Sequence, residues 1–171
     1  MHIRKATILD ATSIAEIYNE AIINTTATFD TEIKSVENRQ EWLMQHSNKY
    51  PVLVAEFENT IVGFASMTRW SDRTAYDDTA EVSVYILPKW QAKGTGKKLF
   101  KAIIEAGKVG GLHTVLSRIT QGNEKSIYIH KLNGFEEVGI MKEVGKKFAQ
   151  LLDVTLMQLV YPFPAKQKNS D

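Results

Sequence analysis

The 171-residue sequence contains no cysteine. Disulfide bonds, thiolate metal sites and cysteine nucleophiles are therefore excluded. The sequence also lacks an apolar run close to the roughly 20 residues that a membrane-spanning helix needs. Its first residues, MHIRKATILD, lack the apolar core of a secretory signal. We therefore expect a cytoplasmic protein with no membrane partner.

A strong charge of either sign is also missing. The 21 lysines and arginines nearly balance the 20 aspartates and glutamates, which leaves a formal net charge of +1. Because no strong positive field is present, nucleic acid is not an expected partner. The four histidines lack metal-ligand spacing, and no nucleophile-elbow motif occurs. We expect neither a metal site nor serine-hydrolase chemistry.

The hydrophobic pattern predicts one α/β domain, of the α+β type. A chain of this length can bury one core without the help of metals or disulfides. Apolar residues recur at strand and helix spacing in the order β α α β β β α β α β β. This order predicts a single mixed sheet with helices on its faces. We assign the domain to residues 1–163 and a polar C-terminal tail to residues 164–171.

A glycine-rich turn, QAKGTGKKLF, precedes one of the predicted helices. A nucleotide P-loop would need glycine in place of Gln91 and Ser or Thr in place of Lys98. A dinucleotide-binding turn would need a third glycine, where this chain has Leu99. The remaining functional interpretation is an anion cradle of backbone N–H groups at a helix N-terminus, with lysines adding charge. Taken alone, such a turn more often serves backbone geometry only.

Two motifs together resemble the signatures of the GNAT N-acetyltransferase superfamily. Gln91–Gly96 match the acyl-CoA-binding pattern [QR]xxGx[GA], and NEKSIYIHKLNGF is similar to the second signature of that family. The residues that carry the second match are Asn123, Ser126, His130, Gly134 and Phe135. The resemblance covers nearly the whole chain. It implies a mostly antiparallel mixed sheet with a splayed central strand pair that holds acetyl-CoA, and acetyl transfer to an amine without a metal.

A narrower resemblance lies in RTAYDDTAEVSVYI, with TATFDTE and YPVLVAE before it. These stretches resemble the phosphinothricin and methionine sulfoximine acetyltransferase branch. The resemblance implies transfer to the α-amine of a small amino acid or analogue, tolerance to glutamine-synthetase inhibitors such as phosphinothricin, and a homodimer. One segment, GKKFAQLLDV, departs from the GxKFGxWxD pattern of the branch by carrying Ala149 and Leu151. This segment borders the acceptor site in the family, so the departure concerns the identity of the acceptor.

The predicted chemistry needs a base and an acid. An α-ammonium group must lose a proton before it attacks a thioester, and a carboxylate beside the cofactor can take that proton. Glu81 occupies the base position by resemblance, although a lone glutamate on a strand is usually a solvated side chain. His130 stands where many family members carry a proton-donating tyrosine. A packing role for His130 is an equal alternative, and Ser126 is a further candidate for the proton donor.

The resemblance also assigns the binding residues. The cofactor contacts that it implies are Val84, Tyr85, Ile86, Gln91, Lys93, Gly94, Thr95, Gly96, Lys97, Asn123 and Ser126. As bare sequence, Asn123 and Ser126 fit equally well a helix cap and a polar helix face. Arg73 is the predicted clamp for the carboxylate of the acceptor, because guanidinium binds carboxylate bidentately. Tyr76, Phe29 and Trp70 are predicted to wall the same pocket.

Two other functions fit the cofactor signatures. The acceptor is a different amine in the first, such as a polyamine, an aminoglycoside or a protein N-terminus. In the second, the chain binds acyl-CoA without turnover. Glu81 favours catalysis over binding alone, and Arg73 favours an anionic acceptor over a polycation.

Overall fold

The computed structural model describes residues 1–162. The predicted tail, residues 164–171, lies outside them. The helices and strands follow the predicted order, which confirms it. The strands are β1 His2–Lys5, β2 Val52–Phe57, β3 Thr60–Arg69, β4 Thr79–Ile86, β5 Thr114–Thr120, β6 Glu136–Lys147 and β7 Gln150–Val160. The helices are α1 Ala11–Asn24, α2 Val36–Met44, α3 Thr95–Val109 and α4 Glu124–Leu132.

Local sequence signals explain several of the boundaries. The β2–β3 hairpin turns at Glu58 and Asn59, which both have positive φ, as the polar pair predicts. Helix α4 ends just before Gly134, whose φ of 84° is the left-handed conformation typical of a glycine after a helix. Asp10 is a residue type that favours helix N-caps and precedes α1, but its side chain does not cap that helix. It accepts hydrogen bonds from Arg4 instead, at 2.8 Å.

The sheet has seven strands in the order β1-β2-β3-β4-β5-β7-β6. Neighbouring strands are antiparallel except for β4 and β5, which run parallel. The parallel register extends only from Thr79 opposite Thr114 to Glu81 opposite Leu116. Both strands continue beyond this point without pairing to each other. The predicted mixed, mostly antiparallel sheet and its splayed strand pair are therefore confirmed.

The core lies on both faces of the sheet. Leu99 and Ile103 of α3 pack against one face, and Ile14 and Ile17 of α1 pack against the other. Strand β4 shares its side chains between the two cores. Val82, Val84 and Ile86 join the α3 core, whereas Tyr85 joins the α1 core. Because side chains alternate along a strand, Glu81 lies on the α1 face of β4.

Strand β6 is longer than the sequence pattern predicts. The pattern EEVGIM indicates a strand only over residues 136–141, but β6 continues to Lys147 and pairs with β7. Irregular register between Glu137 and Gly139, and again between Met141 and Gly145, interrupts the alternation of side chains. A periodicity of two is therefore lost in a segment that is nevertheless a strand.

Candidate active site

A cleft of about 560 Å³ opens where β4 and β5 diverge. Its walls are α1, the second half of β4, the turn before α3, the end of β5, and α4. Many residues that the sequence predicts for the site border this cleft. They are Val84, Tyr85, Ile86, Gln91, Gly94, Gly96, Lys97, Asn123, Ser126 and His130.

The turn before α3 has the geometry of an anion site. Gly94 adopts a φ of 81° and precedes the helix. The first helical hydrogen bond runs from the Lys98 N–H to the Gly94 carbonyl, at 3.1 Å. The N–H groups of Thr95, Gly96 and Lys97 precede that bond and have no acceptor within the helix. Three N–H groups at the positive end of a helix dipole form a binding site for an anion.

Gln91 fastens this turn to the sheet. Its Nε2 donates a hydrogen bond to the carbonyl oxygen of Ile86, the last residue of β4, at 3.1 Å. The turn is therefore held at the end of the strand whose outer edge lines the cleft. In this contact the neutral side-chain amide of Gln91 serves as a hydrogen-bond donor.

The two predicted phosphate-binding lysines differ in position. Lys97 borders the cleft. The Lys93 Nζ lies 5.0 Å from the centroid of the Trp90 ring, and among the described residues Lys93 is not part of the cleft wall. A cation–π contact with a residue three positions earlier holds the ammonium group there. The geometry thus supports a cofactor contact for Lys97 but not for Lys93.

The predicted base, Glu81, forms an ion pair that the sequence analysis did not anticipate. Arg118 of β5 donates from Nε to Oε1 at 2.7 Å and from a terminal nitrogen to Oε2 at 2.5 Å. These hydrogen bonds raise the pKa of the Arg118 guanidinium. Its Cζ also lies 5.5 Å from the centroid of the Trp70 ring. Arg118 borders the cleft, so Trp70 is connected to the cleft through its contact with Arg118.

The predicted proton donor, His130, borders the cleft but is almost fully buried. Its residue exposure is 5%, and its ring packs against Phe100 and Phe135 at centroid distances of 4.4 and 4.9 Å. Nδ1 lies 2.7 Å from the Ser126 carbonyl oxygen, which can only accept, so Nδ1 carries the proton. In the described part of the chain, Nε2 has no hydrogen-bond partner.

Burial lowers the pKa of His130 to about 4, because a charged imidazolium is costly among aromatic rings. The ring is therefore neutral near pH 7, and its one proton is held by the backbone. These features favour the alternative of a packing role, and protonation of the departing thiolate by His130 stays a prediction.

Helix α4 presents other polar groups to the cleft. Asn123 caps the helix, since its Oδ1 accepts from the Ser126 N–H at 3.2 Å. Asn123 thus serves as a helix cap and as a wall of the cleft at the same time. Ser126 and Tyr128 both border the cleft, and Tyr128 is 63% exposed. Tyr128 is a hydroxyl-bearing residue that the sequence analysis missed, although it lies within the second signature.

The loop between α1 and α2 carries Phe29 and is held by the β6–β7 hairpin. The buried Lys147 donates from Nζ to the Thr28 carbonyl at 2.7 Å. A Cβ placed on Gly145 would lie 2.0 Å from Cε2 of Phe29, so the ring occupies the space that a side chain would need. The hairpin segment that departs from the branch pattern therefore contacts a predicted wall of the acceptor pocket.

Arg73 and Tyr76 lie apart from the cleft. Both are on the exposed segment between β3 and β4, where Thr74–Tyr76 form a short 3₁₀ turn. Neither residue is part of the cleft wall among residues 1–162. Their roles as clamp and wall for the acceptor stay predictions.

Two further features bear on the predicted function. Within residues 1–162, no helix is both long and apolar enough to cross a bilayer. The same residues contain no cluster of three histidine, aspartate or glutamate side chains arranged to bind a metal ion.

Comparisons with known proteins agree with the geometry of this cleft. Residues 3–156 match the acetyltransferase (GNAT) domain family. The chain is 39% identical over 159 residues to an L-methionine sulfoximine/L-methionine sulfone acetyltransferase of Pseudomonas aeruginosa, covering 92% of each protein. The crystal structure of a ribosomal-protein-alanine N-acetyltransferase from Brucella melitensis superposes with a TM-score of 0.91 and 36% identity, covering 94% of this chain and 100% of that one.

A third similar protein was solved with a ligand. It is a phosphinothricin acetyltransferase from Sinorhizobium meliloti in complex with acetyl-CoA. The TM-score is 0.89 at 32% identity, and the match covers 93% of this chain and 87% of that one.

Proposed function

The chain belongs to the GNAT acetyltransferase family, and from that premise we propose that it transfers the acetyl group of acetyl-CoA to the α-amine of a small amino acid or analogue. Family membership confirms the fold and the N-acetyltransferase class that the two signatures predict. The similarity to an acetyltransferase for methionine sulfoximine and methionine sulfone supports the acceptor class. The observation that carries the proposal is one cleft lined both by an anion-binding turn and by Arg118, which forms an ion pair with Glu81.

The cofactor half of the cleft fits an acyl-CoA. Beyond Glu81, no described strand pairs with the outer edge of β4, so backbone N–H and C=O groups are available to an amide-bearing chain. The N–H groups at the start of α3, with Lys97, would hold a pyrophosphate. Acetyl-CoA supplies an activated acetyl thioester when bound. A backbone N–H at the edge of β4 would stabilise the negative charge that develops on the acyl oxygen.

Glu81 is the proposed general base. It would take a proton from the ammonium group of the acceptor, directly or through a water molecule. Its side chain is 18% exposed, and it is hydrogen-bonded to Arg118, which borders the cleft. The hydroxyl groups of Ser126 and Tyr128 are the proposed donors for the departing thiolate, in place of His130. Both side chains lie on the wall of the cleft.

The proposed acceptor pocket includes Phe29, Trp70, Arg73 and Tyr76. Acetylation of phosphinothricin-like inhibitors there would give tolerance to them. The cytoplasmic location remains a prediction.

We further propose a homodimer that covers β6. This strand lies at the edge of the sheet. Its Val138, Ile140 and Val144 are at least half exposed, and exposed apolar edge strands pair readily with a second copy. Light scattering should give twice the chain mass. Charged substitutions at Val138 and Ile140 should return a monomer.

A free-thiol release assay tests the proposed activity. The acceptors would be L-methionine sulfone, L-methionine sulfoximine, L-phosphinothricin, ordinary L-amino acids, spermidine, an aminoglycoside and a peptide beginning with alanine. We expect turnover confined to the amino acids and their analogues. Turnover confined to the peptide would favour a second function, which the similarity to the Brucella enzyme makes specific. Coenzyme A binding without thiol release for any acceptor would indicate a binding module.

A further inference from the structure

Arg118 is the cationic side chain that β5 contributes to the wall of the cleft. It donates two hydrogen bonds to the two carboxylate oxygens of Glu81. The Arg118 side chain is 54% exposed, whereas Glu81 is 18% exposed. The guanidinium is therefore the accessible member of the pair, and it lies between the carboxylate and the cleft.

The pair sits where the two strands separate. Glu81 and Leu116 form the last register pair of the parallel strands. Arg118 follows Leu116 by two positions and so projects from the same face of β5. A small molecule that enters the opening between β4 and β5 thus meets Arg118 on the wall of the cleft, with the Glu81 carboxylate behind it.

The charges of this pair are complementary to those of an α-amino acid. Such an acceptor carries an ammonium and a carboxylate on one carbon atom. Glu81 offers a carboxylate to the ammonium, and Arg118 offers a planar fork of donors that fits a carboxylate. Each hydrogen bond that Arg118 and Glu81 make to each other would be replaced by a hydrogen bond to the bound amino acid. The binding of a zwitterion would therefore leave no charge of the site without a partner.

Trp70 gives Arg118 a second contact. The guanidinium carbon lies 5.5 Å from the centroid of the indole ring, within the range of a cation–π interaction. This contact does not depend on Glu81. If Arg118 releases Glu81, the ring still retains the guanidinium at the cleft.

We propose that Arg118 binds the carboxylate of the acceptor and that the Glu81–Arg118 ion pair opens to admit the zwitterion. This inference rests on the proposed function and names a specificity residue for it. On binding, the guanidinium hydrogen bonds pass from Glu81 to the carboxylate of the acceptor. The ammonium then donates to the freed oxygens of Glu81. One proton moves from the ammonium nitrogen to Glu81, and the neutral amine keeps the lone pair that attacks the thioester carbon.

This arrangement selects for α-amino acids over simple amines. An amine without a carboxylate must compete with Arg118 for Glu81, whereas an amino acid gives Arg118 a new partner. Arg73, on the exposed turn outside the cleft wall, is not required for this exchange. Dependence of the reaction on the acceptor carboxylate should therefore follow Arg118 rather than Arg73.

The test compares L-methionine sulfone with its α-carboxamide as acceptors. The variants are Arg118→Gln, Arg118→Lys and Arg73→Gln. The control is Arg69→Gln, which removes another paired arginine from the neighbouring strand β3. We expect Arg118→Gln to lower the ratio of kcat/KM for acid over amide by about 10- to 100-fold. The KM for acetyl-CoA should not change. Arg118→Lys should give an intermediate ratio, Arg73→Gln should lower the ratio less than Arg118→Gln does, and Arg69→Gln should keep the wild-type ratio.

Two kinetic outcomes would overturn the inference. An equal loss on both acceptors in Arg118→Gln would mean that Arg118 only positions Glu81. A ratio that falls in Arg73→Gln alone would assign the carboxylate to Arg73.

Calorimetry with coenzyme A present separates this inference from the proposed function. If the wild type acetylates neither acceptor, the proposed function fails. Binding of L-methionine sulfone about tenfold more tightly to wild type than to Arg118→Gln would still support the inference. Equal affinity, or no binding to either protein, would overturn it.

Discussion

The two halves of the cleft are built in different ways. The cofactor half comes from one continuous segment, residues 82–97, together with α4, and it presents mainly backbone groups. The proposed acceptor half depends on side chains from separate segments: Arg118 on the wall of the cleft, Trp70 against Arg118, and Phe29 against the β6–β7 hairpin. A site made of backbone can be encoded by a short motif, whereas a site made of side chains depends on tertiary contacts.

This difference predicts two kinetic signatures. A change in the cofactor half should alter the KM for acetyl-CoA equally with every acceptor. A change in the acceptor half should alter the preference among acceptors and leave acetyl-CoA unaffected. Substitutions chosen on each side can confirm or break this division.

Glu81, which contacts the cleft residue Arg118, is the proposed general base, and its replacement should have the largest effect. Glu81→Gln keeps the size of the side chain but removes the base, so kcat should fall by about 10²- to 10⁴-fold. Coenzyme A affinity, measured by calorimetry, should stay within about twofold because the turn before α3 is unchanged. Glu20→Gln is the control, since it makes the same substitution at a glutamate that borders the cleft. A variant that retains its rate would exclude Glu81 as the base.

Most of the cofactor half could be predicted from the sequence. The motif Gln91–Gly96 specifies a glycine with positive φ, a helix start and an amide that ties the turn to β4. All three are properties of neighbouring residues, so a local pattern records them. Lys93 is the exception, because a motif does not indicate whether a flexible side chain turns towards a phosphate or towards Trp90.

The ion pair of Arg118 with Glu81 and the protonation of His130 were harder to predict from the sequence. Arg118 reaches Glu81 only because β4 and β5 lie side by side over three register pairs, and residues 37 positions apart carry no local sign of that contact. The sequence offered one hint of this contact, which is that the basic residue Arg118 lies inside the mostly apolar strand VLSRI. The environment of His130 depends on Phe100 of α3 and on Phe135. Matching a family position therefore gave its location but not its protonation.

Replacement of His130 tests whether this residue of α4 takes part in the reaction or only packs beside the cofactor half. The pKa of His130 in the folded protein is about 4, below the ordinary value of 6.5. As the pH falls below 6.5, His130 is protonated in the unfolded chain but stays neutral in the folded protein. The free energy of unfolding therefore decreases until about pH 4, where His130 is protonated in the folded protein as well. From pH 7 to pH 4 this loss amounts to about 3 kcal/mol. Replacement by phenylalanine should remove it.

Urea unfolding at several pH values measures this effect as the difference between wild type and His130→Phe. Carboxylates that titrate in the same range are common to both proteins, so their contribution cancels. The variant should also keep the pH–rate profile of the wild type near neutrality. A large loss of kcat with intact coenzyme A binding would restore His130 as a proton donor.

Gly145 probes the acceptor half at a distance from the cofactor. A Cβ at this position would overlap the ring of Phe29, and Phe29 is 38% exposed and free to swing outwards. Gly145→Ala should therefore lower kcat/KM for the acceptor by about tenfold through the displaced wall. The KM for acetyl-CoA should not change. Gly139→Ala in the same strand is the control, because a Cβ there meets no atom within 4 Å. A raised KM for acetyl-CoA would break the division between the halves.

Gly94 should show the smallest effect and addresses the cofactor half directly. Its φ is 81°, and a Cβ on it would meet no atom within 4 Å. Gly111, after α3, is a matched control because its φ is 88° and a Cβ on it would also meet no atom within 4 Å. Replacing either by alanine should cost about 1 kcal/mol of stability from the left-handed backbone alone. Gly94→Ala should also raise the KM for acetyl-CoA about threefold with every acceptor, because the shifted turn misaligns the N–H groups that bind the anion. Gly111→Ala should leave that KM unchanged, since Gly111 lies outside the wall of the cleft. If both variants lose stability equally and neither changes the KM, the glycine turn serves backbone geometry only, and the anion site must lie elsewhere along the edge of β4.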